Sequence, residues 1–457
     1  MEYVSVNPFT EVLEKTYEGH SDAQMMEALA ASHALYQSDW SRRSVASRLP
    51  ILRRMASLLG ERTDQYAAAI AAEMGKPLAQ GRGEIMLCAG IAQYYADNAE
   101  RFLAAERIET GVGDAVVEIH PIGVLVAIEP WNFPFYQLIR VVAPAIAVGN
   151  PVLMKHAEIV PHCAQLFAEL VTDAGAPAGA CTNLYLTIDQ AATLIADERV
   201  QGVALTGSER AGAAVAANAS KNLKKSTLEL GGSDIFAVMA DADVEKAAKV
   251  GAAARLANAG QVCTGAKRFI LHKDIADRFL ELFVQHFGDA VLGDPLDPAT
   301  TLGPLCSEKA LTNLVDQVQR AVAGGAEILV GGKRPDRTGY FFEPTILVGV
   351  ERSNPAYYEE FFGPVAQVFI VDNDDELVAL ANDSHFGLGG ALFSGDAERA
   401  RAIASRIETG MLFINLSSTS MPELPFGGIK RSGFGRELSD LGIKEFVNRK
   451  LIVVGGA

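Results

Sequence analysis

Between Val116 and Val238 short apolar runs alternate with stretches of helical character, and this alternation limits the possible folds more than any other property of the chain. Val116–Ile128 reads as two strands around a turn containing Pro121. Pro151–Lys155 reads as a strand and Pro161–Ala174 as a helix. Val200–Leu205 is a strand, Ala211–Ala219 a helix, and Leu228 lies near the end of another strand, followed by Ile235–Val238. Strand, helix and strand in this order predict a parallel sheet covered by helices, an α/β fold. The same rhythm runs from about Val244 to about Arg406 and predicts a second α/β unit. Before both, Asp22–Met74 has helical spacing, with Ser41 and Thr63 as N-cap candidates, Pro50 marking a kink or second start, and Gly75-Lys76-Pro77 as a stop. The apolar tail Leu451–Val454 is expected to pair with another strand, a partner subunit's strand being one candidate.

Composition removes several function classes. A chain of 457 residues, 49% hydrophobic and 21% charged, has enough apolar material for two or three domains with full cores. Its net charge of −16 repels a phosphate backbone, so no nucleic-acid partner is expected. The five cysteines are widely spaced without a CxxC, which argues against a disulfide framework and a zinc cluster; no metal site is expected. Free thiols, no signal-peptide pattern, and a most apolar stretch (Val141–Met154) broken by Pro144, Gly149, Asn150 and Pro151 lead us to expect a cytoplasmic protein with no membrane partner.

Three runs carry the chemistry. Cys263 follows Gly260-Gln261-Val262; a free cysteine is usually a small buried hydrophobe, but small, turn-forming neighbours point to an accessible nucleophile, and on this residue alone the two readings stand level. Glu229 sits at a strand end before Gly231-Gly232, either bonding loop amides or acting as a general base in a partly apolar pocket. Asn132, between Trp131 and Phe133-Pro134, either caps a turn or donates its amide to an oxyanion. Two strand–turn–helix junctions have nucleotide character. Gly207-Ser208 opens a helix whose free N–H groups suit a diphosphate, though without the full glycine fingerprint. Lys155 and Glu158 follow a strand, as a solvated pair or as partners of ribose hydroxyls. The runs Glu359–Val365 and Pro425–Glu437 are glycine-rich with aromatics, either surface loops or the walls of a cofactor and substrate passage.

Taken together and in order, Pro130–Pro134, Leu228–Gly232, Gly260–Cys263, Glu360–Pro364 and Pro425–Gly428 resemble the aldehyde dehydrogenase superfamily over nearly the whole chain, with Glu229 preceding Cys263 by 34 positions as that pattern requires. The resemblance implies a Rossmann-type cofactor domain (residues 1–114 and 130–229), an α/β catalytic domain (230–425) and a small oligomerisation element (115–129 and 440–457), assembled as a homodimer or dimer of dimers. It implies Cys263 as nucleophile, Glu229 as base, Asn132 as oxyanion donor and Glu437 as a proton acceptor behind Glu229. It places Trp131, Lys155, Glu158, Gly207, Ser208, Leu230, Glu360 and Phe362 on the dinucleotide. Many relatives carry a lysine where Val141 stands, so a relay through such a lysine is not expected.

A closer likeness is to the short bacterial succinate-semialdehyde dehydrogenases, through Leu228–Asp234, Ala266–Phe269 and Gly428–Glu437. It implies Arg140 as anchor for the substrate's distal carboxylate, with Tyr136 and Ser420 beside it. Another arginine used by some members is replaced by Ala257, with Arg255 two residues away. The carboxylate of Glu158 predicts NAD as preferred cofactor, with NADP second. Glutarate semialdehyde and aromatic aldehydes remain alternative substrates, and transfer of the acyl group to coenzyme A or a non-catalytic scaffold are the rival functions.

Overall fold

The structure, a computed structural model, describes residues 2–455. Two large sheets organise it. The first has six strands, in the order Gly433–Phe434, Lys225–Glu229, Val200–Thr206, Val124–Glu129, Val152–His156 and Cys181–Asn183. All neighbours run parallel except the first pair. Alternate residues of one strand feed opposite cores. Leu125 and Ala127 join the larger cluster with Phe135, Ile139 and Phe167, whereas Val124 and Val126 join Met25, Leu29 and Leu153 on the other face. A continuous apolar run is therefore what this strand requires, because helices cover both sides.

The second sheet has seven strands, in the order Glu327–Val330, Thr345–Val348, Val365–Val371, Arg268–His272, Ile235–Val238, Gly390–Phe393 and Phe413–Ile414, with only the first pair antiparallel. Its faces divide in the same way: Phe236 and Phe269 pack with Phe283 and Phe393 on one side, Ile235 and Ile270 with Leu377 and Ile403 on the other. Both parallel units expected from the alternation are present.

Two local expectations are corrected. The strands on either side of Pro121 do not form a hairpin. Gly113–Pro121 pairs with Glu106–Ile108 and with the C-terminal strand Val447–Gly455, while Val124–Glu129 enters the six-stranded sheet. Their burial explains the split: the second strand is buried nearly throughout, whereas most of the first is only half-buried. The apolar tail thus finds its partner strand within its own chain. Ser41 and Thr63 are not N-caps. Ser21 caps the first helix, Asp22–Gln37, by accepting the Gln24 N–H, and Ser41 lies inside a short 3-10 turn. Only Arg62 separates helices Leu49–Glu61 and Thr63–Met74, so the Thr63 hydroxyl donates back to Leu59 O at 2.8 Å. Pro50 does mark a second start, in the first turn of Leu49–Glu61. Gly75 ends the next helix in the left-handed conformation.

Candidate active site

The carboxyl ends of the six-stranded sheet face the loops that enter the amino ends of two strands of the second sheet. Between them lies a cavity of about 300 Å³. Trp131, Asn132, Gly207, Ser208, Leu230, Cys263, Glu360 and Phe362 all line it. Stretches spread over more than two hundred residues meet here because parallel strands place all their carboxyl ends on one side of the first sheet and all their amino ends on one side of the second.

The loop that carries Cys263 is held by an unusual backbone. Asn258, Ala259 and Gly260 have φ of 51°, 50° and 74° in succession. A Cβ on Gly260 would lie 2.0 Å from the Gly363 carbonyl oxygen, so no other residue fits. The buried Asn258 amide donates to Asn132 O at 2.8 Å, and Gln261 Oε1 accepts the Cys306 N–H at 2.9 Å. Arg255 is sealed beneath the loop, donating to Ala266 O and Gly260 O; it braces the loop and does not enter a substrate passage.

Cys263 is half-buried at the cavity wall. Burial pushes its thiol up to about 11; Lys267 and Arg140 pull it down, and Glu360 and Asp234 push it further up. Asn132 Nδ2 donates to Gln261 O at 3.1 Å, and its Oδ1 accepts from Gln137 at 3.1 Å, so the amide is held in one orientation with its second N–H available. Among the described residues no protein group accepts the Cys263 N–H. These two donors are the components of an oxyanion site.

The structure does not bring Glu229 to the cavity wall. Its carboxyl is buried with neither oxygen hydrogen-bonded, and a Cβ on Gly427 would lie 2.7 Å from Oε1. Burial raises its pKa well above the carboxylate range, and the neighbouring Glu437 charge raises it further against the pull of Arg140 and Arg436. To reach a water at Cys263 the side chain has to turn away from Gly427.

Arg140 is also elsewhere than expected. Its guanidinium is buried between the rings of Tyr136 and Phe426, donates to Gln137 and to Thr206 Oγ1 (3.2 Å), and lies 2.7 Å from Glu437 Oε2, close enough for an ion pair although not aligned as a hydrogen bond. A buried carboxylate has captured the arginine expected to anchor substrate. Arg140→Ala is therefore expected to destabilise the fold by about 3–5 kcal/mol, because Glu437 is left buried without its partner. A melting temperature equal to that of the wild type, with only the KM for an acidic aldehyde raised, would restore the anchoring role. Tyr136 and Ser420 do meet: the phenol donates to the Ser420 hydroxyl at 2.8 Å.

The cavity fits the nicotinamide half of a dinucleotide. Trp131 and Phe362 meet edge to face at 5.7 Å, and Gly231 sits so close to Glu360 that a Cβ would lie 2.5 Å from Oε2, leaving the carboxylate at the cavity surface. Ser208 caps helix Glu209–Lys221 by accepting the Ala211 N–H, so the free N–H groups of that first turn are the donors left for a diphosphate. Lys155 and Glu158 are outside this wall and form an ion pair at 2.6 Å, Lys155 from within strand Val152–His156 and Glu158 from just beyond it. Gln137, Thr206 and Lys267 are site residues that sequence reasoning did not single out. A lysine four positions after the nucleophile, in a run of small residues, was the available signal for the last.

Residues 1–452 match the model of the aldehyde dehydrogenase family. The chain belongs to that family. It is 48% identical to the succinate-semialdehyde dehydrogenase [NADP(+)] of Deinococcus radiodurans over 450 residues, 98% of this chain and 94% of the relative. The aldehyde dehydrogenase fold is shared with the solved structure of Gox0499 (50% identity, TM-score 0.99, all of both chains). It is shared equally with succinic semialdehyde dehydrogenase from Streptococcus pyogenes in complex with NADP+ (48% identity, TM-score 0.98, 99% and 100% covered). The NAD preference expected from Glu158 finds no support in the Deinococcus and Streptococcus relatives, the first named and the second solved with NADP+. The Lys155 ion pair supplies a physical reason: the Glu158 carboxylate is not a lone negative charge. Among the described residues no helix is long and apolar enough to cross a membrane.

Proposed function

We propose that this aldehyde dehydrogenase family member oxidises succinate semialdehyde to succinate with a nicotinamide dinucleotide, and that NADP+ serves at least as well as NAD+. The observation that carries the reading is the convergence of the Cys263 thiol, the Asn132 amide and the Glu360 carboxylate on one cavity. The Cys263 thiol gives its proton to solvent water in the cavity, and the resulting thiolate adds to the aldehyde carbon. The oxygen becomes an alkoxide held by Asn132 Nδ2–H and the Cys263 N–H. A bound nicotinamide would supply the hydride acceptor, and loss of that hydride from the former aldehyde carbon leaves a thioester on Cys263. Glu360 and Trp131 would hold the nicotinamide end, and the first turn of helix Glu209–Lys221 would receive the diphosphate. Glu229 turns inward, takes a proton from water as its oxygen attacks the thioester, and the acid leaves as the Cys263 sulfur departs. A carboxylate at this position supports hydrolysis over transfer to coenzyme A.

With Arg140 held by Glu437, the hydroxyls of Tyr136 and Ser420 are the groups assigned to the distal carboxylate. The expected homodimer or dimer of dimers is supported by the exposed apolar residues Leu451, Val453 and Val454 on the C-terminal strand.

A panel of aldehydes assayed with each cofactor tests the reading. Succinate semialdehyde should have the highest kcat/KM, exceeding an uncharged aldehyde of equal length, and NADP+ should match or exceed NAD+. Glu158→Ser should shift the ratio further toward NADP+, because Lys155 is then left to meet the added phosphate alone. Preference for a neutral aldehyde, or strict use of NAD+, would reject the corresponding half of the proposal.

A further inference from the structure

Lys267 is a fully buried lysine four positions after the nucleophile, and the mechanism above does not use it. Its ammonium donates to Val262 O at 2.7 Å and to Cys263 O at 2.6 Å, and lies 3.0 Å from Glu360 Oε1. The same Glu360 oxygen accepts the Gly232 N–H at 3.1 Å. An ammonium has three N–H donors, and these three acceptors use them all. Its backbone is fixed as well: the Lys267 N–H donates to Asp234 O at 3.0 Å. Burying an ammonium costs several kcal/mol unless it is paired, and Glu360 supplies the pairing.

Two consequences follow for Cys263. The Val262–Cys263 peptide is trans and planar, so its C=O and N–H point in opposite directions. Holding Val262 O on the Lys267 ammonium therefore fixes where the Cys263 N–H points. A positive charge also lies against the peptide that carries the thiol, within a medium that screens it poorly. We propose that Lys267 is the positioning residue of the nucleophile, fixing the Cys263 N–H as an oxyanion donor and keeping a positive charge beneath the sulfur. This deepens the dehydrogenase reading and rests on it for the oxyanion role. Other charged groups act on the same thiol. Arg140, from helix Pro134–Val148, works in the same direction as Lys267, whereas Glu360 and Asp234 work against it. Arg255 lies beneath the loop on Gly260 O.

The test is the pH dependence of Cys263 alkylation by iodoacetamide, read by mass spectrometry of the Cys263 peptide, in wild type, Lys267→Met, Lys267→Arg and Glu360→Gln. It needs neither turnover nor substrate, so it stands even if the chain oxidises no aldehyde. Lys267→Met should move the midpoint up by about one pH unit and slow alkylation about tenfold below it. Lys267→Arg keeps the charge and should stay near the wild-type midpoint. Glu360→Gln removes an opposing anion and should move the midpoint down, which decides the matter if Lys267→Met does not fold. A lysine that merely fills space would lower the melting temperature of Lys267→Met without moving its midpoint. A midpoint unchanged in Glu360→Gln and in any Lys267→Met that folds overturns the proposal.

Discussion

Replacing Cys263 by serine is expected to lower aldehyde oxidation by a factor on the order of 10⁴ or more, with the fold intact. The expected size follows from the absence of a substitute. Cys88, Cys163 and Cys306 are buried, and the Cys181 sulfur rests against Met154 at 3.4 Å. Cys263 is the one cysteine on the cavity wall. A serine hydroxyl there is almost never ionised, and no described group is hydrogen-bonded to this position as a general base. Initial rates of nicotinamide reduction, alongside a melting curve, check the result. A serine variant as fast as the wild type would sink the covalent mechanism.

Glu229→Gln separates the two halves of the reaction. In the proposed mechanism acylation uses Cys263 and the oxyanion donors, so the first turnover should survive as a burst of reduced cofactor. Deacylation loses its base, and steady-state turnover should fall by about 10²–10⁴-fold. The pH dependence has a defined sign. Burial raises the Glu229 pKa, so the base is ionised only at higher pH; wild-type deacylation should decline as pH falls through that raised value, and the glutamine variant should lack this limb. Stability moves the other way. The folded state keeps the proton that the unfolded chain releases above about 4.5, so this carboxyl costs stability as pH rises from there toward its folded pKa. The glutamine variant should therefore gain in melting temperature relative to wild type as the pH is raised. Rapid-mixing and thermal scans check both; a variant without a burst would move Glu229 into the acylation step.

Glu229 belongs to a buried cluster whose composition was not readable in advance. Glu129, Glu229 and Glu437 are all buried, and all three carboxyls are raised by burial and by a neighbouring carboxylate, Glu437 for the first two and Glu445 for Glu437 itself. Strand register places two of them on the strands that flank Thr206. Thr206 pairs with Glu229, and Glu129 follows Ile128, which pairs with Leu205. In the sequence Glu129 was only the residue before a proline. Arg140 was legible as a cation at a suitable separation from Asn132, but separation along a helix says nothing of which carboxylate will reach it first. Glu437 does, from nearly three hundred residues away. The supposed hairpin around Pro121 failed for a similar reason: the partner of Gly113–Pro121 is a strand at the far end of the chain.

By itself the sequence determined the local and periodic features: two parallel sheets, helix stops at glycine, and the glycine-flanked runs around Asn132, Glu229 and Cys263. These depend on backbone preference and on which faces are apolar, both carried by neighbouring residues. Only the tertiary structure decided how the charges are paired: Arg140 with Glu437, Lys155 with Glu158, Lys267 with Glu360 and the Cys263 carbonyl. A buried charge must find a partner in space, and charge attraction does not depend on the number of residues between two groups.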